Sequence, residues 1–442
     1  MSIPATANMI PTAQPPTTIA AGEDRIPGEF LGFWQRVDGQ RVRRAREACR
    51  RLLRFDPIPD DAHVRAFAHG YYDADPVAEA FVDEVYLSRG ANEGRRMLDQ
   101  AIAHGVDSLT EAPQSMRRLF DEFERPPAWL DRDLVERGAE LFRRYGPAVF
   151  SFAGVETLLG YTESSIVKPL VFTGAYAGDT ALNRFMETAR FWIDVSEPDG
   201  LEPGAAGRAT AMRVRIMHVF LRRRLLAHPD WDLAAWGVPI SQSDALVTLM
   251  SSSLTPGLAM HLMGYRTSIR EIEAMMHYWR YIGHLLGVQP RWYPETVKEG
   301  LQLSAVFLLK CARTAGSDGV ELVESYPRAF TPKAGTRWPK RLRDEINYRA
   351  QVGYTRYFLP GRFYRDYNMP KPWPWALHPL LQAPAILVVD TLRRHSPTVA
   401  RLQDRYARWR RETWWRNEMG DKQSHFKPAE QLRDAHGAQS PH

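Results

Sequence analysis

The feature that most constrains this chain is its periodicity. Apolar residues recur at three- and four-residue intervals through most of the sequence. Short alternating runs bounded by Asn-Gly or Asp-Gly turns are nearly absent. Such a pattern buries one face of a helix and cannot bury one face of a sheet, so it predicts an all-α chain. Punctuation sets the ends. Asp75-Pro76 is a helix start, because aspartate caps and proline fits the first turn. Ser241-Gln-Ser-Asp244 and Ser268-Ile-Arg-Glu271 resemble capping boxes. Helices are predicted over 30–55, 131–162 (with a break at Gly146-Pro147), 179–194, 205–228, 245–263, 272–286, 294–313, 340–352 and 378–415.

No internal repeat and no long Gly/Ser- or Pro-rich linker divides these segments. They read as one large helical domain of about a dozen helices over 25–418. The Pro-, Thr- and Ala-rich stretch 1–24 and the polar stretch 419–442 read as disordered tails. An aromatic content of 11%, with 13 Trp, is enough for a substantial apolar pocket. The net charge of +6 over 442 residues is mild, so a nucleic-acid partner is not expected. Cys49 and Cys311 sit in no CxxC or Cys/His cluster, which leaves structural zinc and Fe–S centres without ligands. One disulfide is an open alternative to the default of two buried thiols in a reducing compartment. A basic segment followed by an apolar run is absent from the first residues. No stretch reaches about 18 uninterrupted apolar residues, so no membrane span and a cytoplasmic location are expected. Oligomeric state is left open.

Phosphate loops, nucleophile elbows, dinucleotide fingerprints and HExxH pairs are missing, as are the paired Glu-x-x-His motifs of a di-iron bundle. Histidines on helices remain. His218 has Arg215 three residues before it and Arg222 four after, within about 60° of its face, and Val214, Met217, Leu221 and Leu225 share or flank that stripe. An imidazole among apolar residues with guanidiniums beside it suits an iron-porphyrin, with an arginine reaching the propionates. The plainer alternative is a hydrogen-bonded histidine whose arginines form a solvated face. A second helix carries Arg184, Glu187 and Thr188, either the polar part of a pocket or an ordinary helix ion pair. His277 and His284 lie two turns apart, about 10 Å by helix rise, too far to share one metal. Supporting hydrogen bonds or core packing suit them better.

Taken together, these residues resemble the MpaB-type and rubber-oxygenase family, which includes the latex-clearing proteins. The resemblance is carried by Arg215-Ile-Met-His218-Val-Phe-Leu-Arg222, by Arg184 and Thr188 upstream, and by Val238-Pro-Ile-Ser-Gln-Ser-Asp244 and Trp279-Arg-Tyr-Ile-Gly-His-Leu-Leu-Gly-Val288 downstream. It implies a globin-like helical core, haem b with His218 as its iron ligand, and oxidative cleavage of isoprenoid C=C bonds by O2. One position departs from the pattern. Rubber-cleaving members carry Lys immediately before the Thr, where this chain has Glu187. Lys168, one helix upstream, is then expected to face Glu187 as an exchanged charge pair. The expected partners are O2 and an apolar alkene: an isoprenoid, a prenylated metabolite or an unsaturated lipid. Two alternatives stay open at this point. One is a haem enzyme of another class (peroxidase, isomerase or dehydratase) using Glu187 for acid/base work. The other is a non-catalytic helical lipid-binding protein.

Overall fold

Every regular element among the described residues is a helix. The computed structural model describes residues 25–419, apart from 175–179, 312, 334, 360 and 372 and the side chains of 180, 181 and 362. The expected tails at 1–24 and beyond 419 therefore lie outside the described residues. The first ten α-helices are α1 (Gly32–Val37), α2 (Gln40–Leu53), α3 (Asp61–His69), α4 (Pro76–Phe81), α5 (Ala91–His104), α6 (Gln114–Glu124), α7 (Arg132–Arg144), α8 (Ala148–Gly160), α9 (Ser164–Thr173) and α10 (Thr180–Ser196). The rest are α11 (Ala206–Leu226), α12 (Leu233–Trp236), α13 (Gln242–Ala259), α14 (Ile269–Leu285), α15 (Val297–Lys310), α16 (Gly316–Ala329), α17 (Trp338–Phe358), α18 (Gly361–Asp366), α19 (His378–Arg393) and α20 (Pro397–Met419).

The all-α expectation holds, and the caps show why the ends fall where they do. Asp75 accepts from the Ala78 amide, and Ser268 with Glu271 forms a full capping box. Ser241 caps α13, but its hydroxyl donates to the Asp244 carboxylate at 2.8 Å instead of completing a box. Several predicted spans were too long or were missed. The 30–55 segment breaks at Asp38-Gly39. The 378–415 segment breaks before Pro397, which can only begin a helix. No helix was expected over Gly316–Ala329, where a glycine with positive φ opens the element and Pro327 sits inside it.

α14 lies at the centre, packed against α7 and α13. It approaches α7 closely because residue 138 is glycine: a Cβ there would collide with the Ala274 carbonyl. Phe142, Trp192 and Trp279 meet edge to face around this crossing, at centroid separations of 5.3–5.7 Å. The apolar core runs contiguously from Phe30 to Met369. A smaller cluster of Phe172, Leu225 and Trp231 gathers at the C-terminal end of α11.

α11 is the arginine-rich helix, and it is not a solvated one. Arg208, Arg215 and Arg222 are all buried within it. Arg208 donates to the carbonyls of Phe123 and Leu201 and to the Tyr281 hydroxyl. Buried guanidiniums bonded in this way hold the helix against α4, α6 and α14, although Arg208 Nε and Arg215 Nη1 have no partner among the described residues.

Candidate functional site: the α10–α11 hairpin

α10 and α11 form an antiparallel pair whose closed end is fixed where Gly207 packs on the Asp194 backbone. The faces of α10 can be assigned from their contacts. Phe185, Thr188 and Trp192 line a narrow apolar cavity of about 70 Å³ shared with α8 and α16. The Met186 carbonyl accepts from Trp415 and Arg190 pairs with Glu412, so that side meets α20. The face left over carries Arg184 and Glu187, and by the helical period it is the one turned towards α11. Counting back from the Asp194–Gly207 contact puts Arg184 and Glu187 within about one turn of the level of His218.

On α11, Met212, Ile216 and Val219 point into the main core. His218 lies about 100° or more from those three, on the same side as Val214, Leu221 and Leu225. The ring is surrounded by protein yet only partly covered. It makes no hydrogen bond among the described residues. Burial, with Arg222 beside it, pushes its pKa down to about 4, so the imidazole is neutral at physiological pH. A neutral imidazole with no hydrogen-bond partner among the described residues offers a free lone pair.

The arginines beside it have other partners. Arg215 donates to Asp75 through Nε at 2.7 Å and Nη2 at 2.9 Å, and to Glu122 at 2.6 Å. Arg222 donates to the carbonyls of Pro239 at 3.0 Å and Ile240 at 2.6 Å. Arg222 also pairs with Glu79 at 3.4 Å, whereas Nη1 of Arg215 is buried without a hydrogen-bond partner among the described residues. Both arginines build the walls of the site.

The downstream motifs serve the same framework. Gln242 donates to the carbonyls of Ala74 and Gly287, at 2.7 and 3.0 Å, and accepts from the Gln289 amide at 2.7 Å. Gly287 has φ +75°, and a Cβ there would strike both the Asp75 carboxylate and the Arg215 guanidinium. Asp244 accepts from Ser165 and Ser241, and burial pushes its pKa up to about 6 against the opposing pull of Lys310.

Other expected residues fall elsewhere. Lys168 does not meet Glu187; it pairs with Asp318 of α16 at 2.6 Å and lies over the Trp236 ring. Arg184 pairs with Glu187 at 3.2 Å, and the Thr188 hydroxyl donates back to the Arg184 carbonyl. His277 accepts from the Asp131 amide at 3.1 Å, and both His277 and His284 meet Trp129 edge-on; His284 also lies near Arg215 and Arg208 of α11. Burial lowers the pKa of each. Glu156 was not among the residues singled out from the sequence. It is surrounded by protein on α8, its Oε2 has no partner among the described residues, and burial raises its pKa well above the usual carboxylate value. Its signal was a single carboxylate within an otherwise apolar helix.

Residues 142–385 match the family described as "ER-bound oxygenase mpaB/B'/Rubber oxygenase, catalytic domain". The chain belongs to that family. The matched stretch contains both helices of the hairpin and the α13 and α14 motifs that frame it. The rubber oxygenase of Streptomyces sp. (strain K30) is 28% identical over 228 residues, 51% of this chain and 54% of that protein. The chain thus spans about half the length of this curated relative. Among solved structures, latex clearing protein LCP in its closed state shares the fold, with a TM-score of 0.57 and 23% identity over 78% of this chain and 91% of that one.

Proposed function

We propose that this rubber-oxygenase family member is a haem b-dependent oxygenase acting on an apolar alkene, with His218 as the iron ligand. The single observation that carries the reading is the state of His218: half-buried, neutral and without a hydrogen-bond partner among the described residues. Among the described residues, no group of three or more His, Cys, Asp or Glu side chains is placed to hold a bare metal ion. One imidazole suits a metal that brings its other ligands with it, as iron in a porphyrin does. A globin-like arrangement of helices around that group is part of the same reading, as is a cytoplasmic location.

When bound, haem iron supplies O2 binding and activation. The chain's own groups do the rest. His218 holds the group in place and, with its pKa near 4, stays free of a competing proton. Val214, Leu221 and Leu225 give its side of α11 an apolar surface that excludes water and admits a hydrocarbon. Glu187, paired with Arg184, sets a hydrogen-bond acceptor on the facing helix where the rubber-cleaving members carry a fixed cation. That substitution favours a small isoprenoid, prenylated metabolite or unsaturated lipid over polymeric rubber.

The test is O2 consumption by the haem-loaded protein across a panel of isoprenoids. Substrate-dependent uptake with carbonyl products is expected, and Glu187→Gln should slow it on the order of a hundredfold if the carboxylate handles a proton. Turnover without O2 uptake would overturn the oxygenase assignment in favour of an isomerase or dehydratase.

A further inference from the structure

The α19–α20 hairpin carries a surface that the oxygenase site does not use. On α19, Pro379, Ala383, Ile386 and Asp390 face inward, against α17 and the 3-10 turn Met260–Met263. The outward face presents Leu380, Leu381, Leu387, Val388, Val389 and Leu392, with Leu381 75% and Val388 58% exposed. A surface helix normally shows the opposite arrangement, and a contiguous apolar face of this kind marks an interaction site. Segment Trp375–Arg393 is long and apolar enough to span a bilayer by length and composition. It is held flat on the protein, because buried Asp390 pairs with Arg144 of α7 and Arg393 and accepts from the Arg266 amide. It therefore has one face anchored through Asp390 and one apolar, open face.

Charge decides between possible partners. The exposed stripe of α20 alternates Arg401, Leu402, Arg405, Tyr406, Trp409 and Arg410. Exposed Arg394 stands at the turn and exposed Trp373 precedes α19. Across 378–410 there are only two carboxylates, Asp390 and Asp404, and both are turned inward, the second onto Arg143 at 2.8 Å. The outer surface is therefore apolar and cationic with no carboxylate. A second copy of the same surface would set like charges against each other, whereas an anionic lipid surface complements both the cations and the apolar residues. Tyr and Trp beside arginine are also the side chains that favour the headgroup level. Most of this hairpin lies beyond residue 385, outside the family-matched stretch.

We propose that the α19–α20 hairpin docks the protein on anionic membrane surfaces, with the apolar face of α19 inserted at the headgroup boundary and the arginines of α20 on lipid phosphates. The experiment uses the full chain and co-sedimentation with phosphatidylcholine vesicles, with and without phosphatidylglycerol. Binding is expected only with the anionic lipid and should weaken with added salt. Leu381→Glu with Val388→Glu, and separately Arg401→Glu with Arg405→Glu, should each weaken it by about tenfold or more. All four positions are exposed, so both double variants should melt at the parent's temperature. Absence of vesicle binding, or unaltered binding by folded variants, would overturn the proposal. So would a dimer in lipid-free solution that Leu381→Glu with Val388→Glu disperses, which would assign the face to a second copy. None of these readouts depends on haem or on turnover.

Discussion

Arg215 shows how much a single side chain can be asked to do. It is 1% exposed, bonded bidentately to Asp75 and again to Glu122, and it stands three residues from His218. Arg215→Met would leave two carboxylates facing each other without their cation, at a cost of about 3–5 kcal/mol measurable by denaturant unfolding. Asp244 offers a pH-resolved counterpart. Its folded pKa of about 6 lies above the unfolded value of 3.8, so its contribution to stability is fully present below pH 3.8 and lost as pH rises through 6. Asp244→Asn keeps a neutral acceptor for Ser165 and Ser241 and removes that loss. The variant should therefore gain on the parent between pH 4 and 7, by a difference on the order of 3 kcal/mol. Equal pH dependence in both proteins would contradict the assignment. His218 could be singled out from its place on the chain, but the occupation of its flanking arginines could not. Asp75 and Glu122 are roughly 140 and 93 positions away, a pairing that only the fold creates.

Among the elements, the helices with strong caps and clear breakers were legible and those defined by tertiary contact were not. α7 and α8 separate at Gly146-Pro147 as the sequence implies, and α14 begins at its capping box. α16 opens on a glycine and contains a proline, so local propensity argues against it; Leu322, Val323 and Tyr326 packed on α8 and α10 make it a helix. Lys168 was expected opposite Glu187, and unforeseen α16 supplies its actual partner, Asp318. The glycine after α14 was legible as part of a motif, without its reason. Gly287 is the position where left-handed backbone and an ion pair meet. Gly287→Ala should cost about 2–4 kcal/mol, combining strain at positive φ with displacement of Arg215. A thermal melt indistinguishable from the parent's would show that the contact is slack.

At the scale of the whole molecule, the twenty α-helices among the described residues place one hairpin so that α11 turns an apolar, histidine-bearing face towards the Arg184–Glu187 pair of α10. The all-α architecture and this pair of helices could be read from periodicity, because local pattern decides them. The walls around the hairpin come from distant segments joined by Gln242, Asp75 and Glu122, which no local pattern encodes. The central claim is that the imidazole of His218 holds a haem. The most direct measurement is the visible absorption spectrum of the purified protein after expression with adequate haem, compared with His218→Ala and with Glu187→Gln as a control on the facing helix. A Soret band present in the parent, retained in Glu187→Gln and lost in folded His218→Ala is the predicted result. No Soret band in the parent, or an unchanged spectrum in His218→Ala, would contradict it.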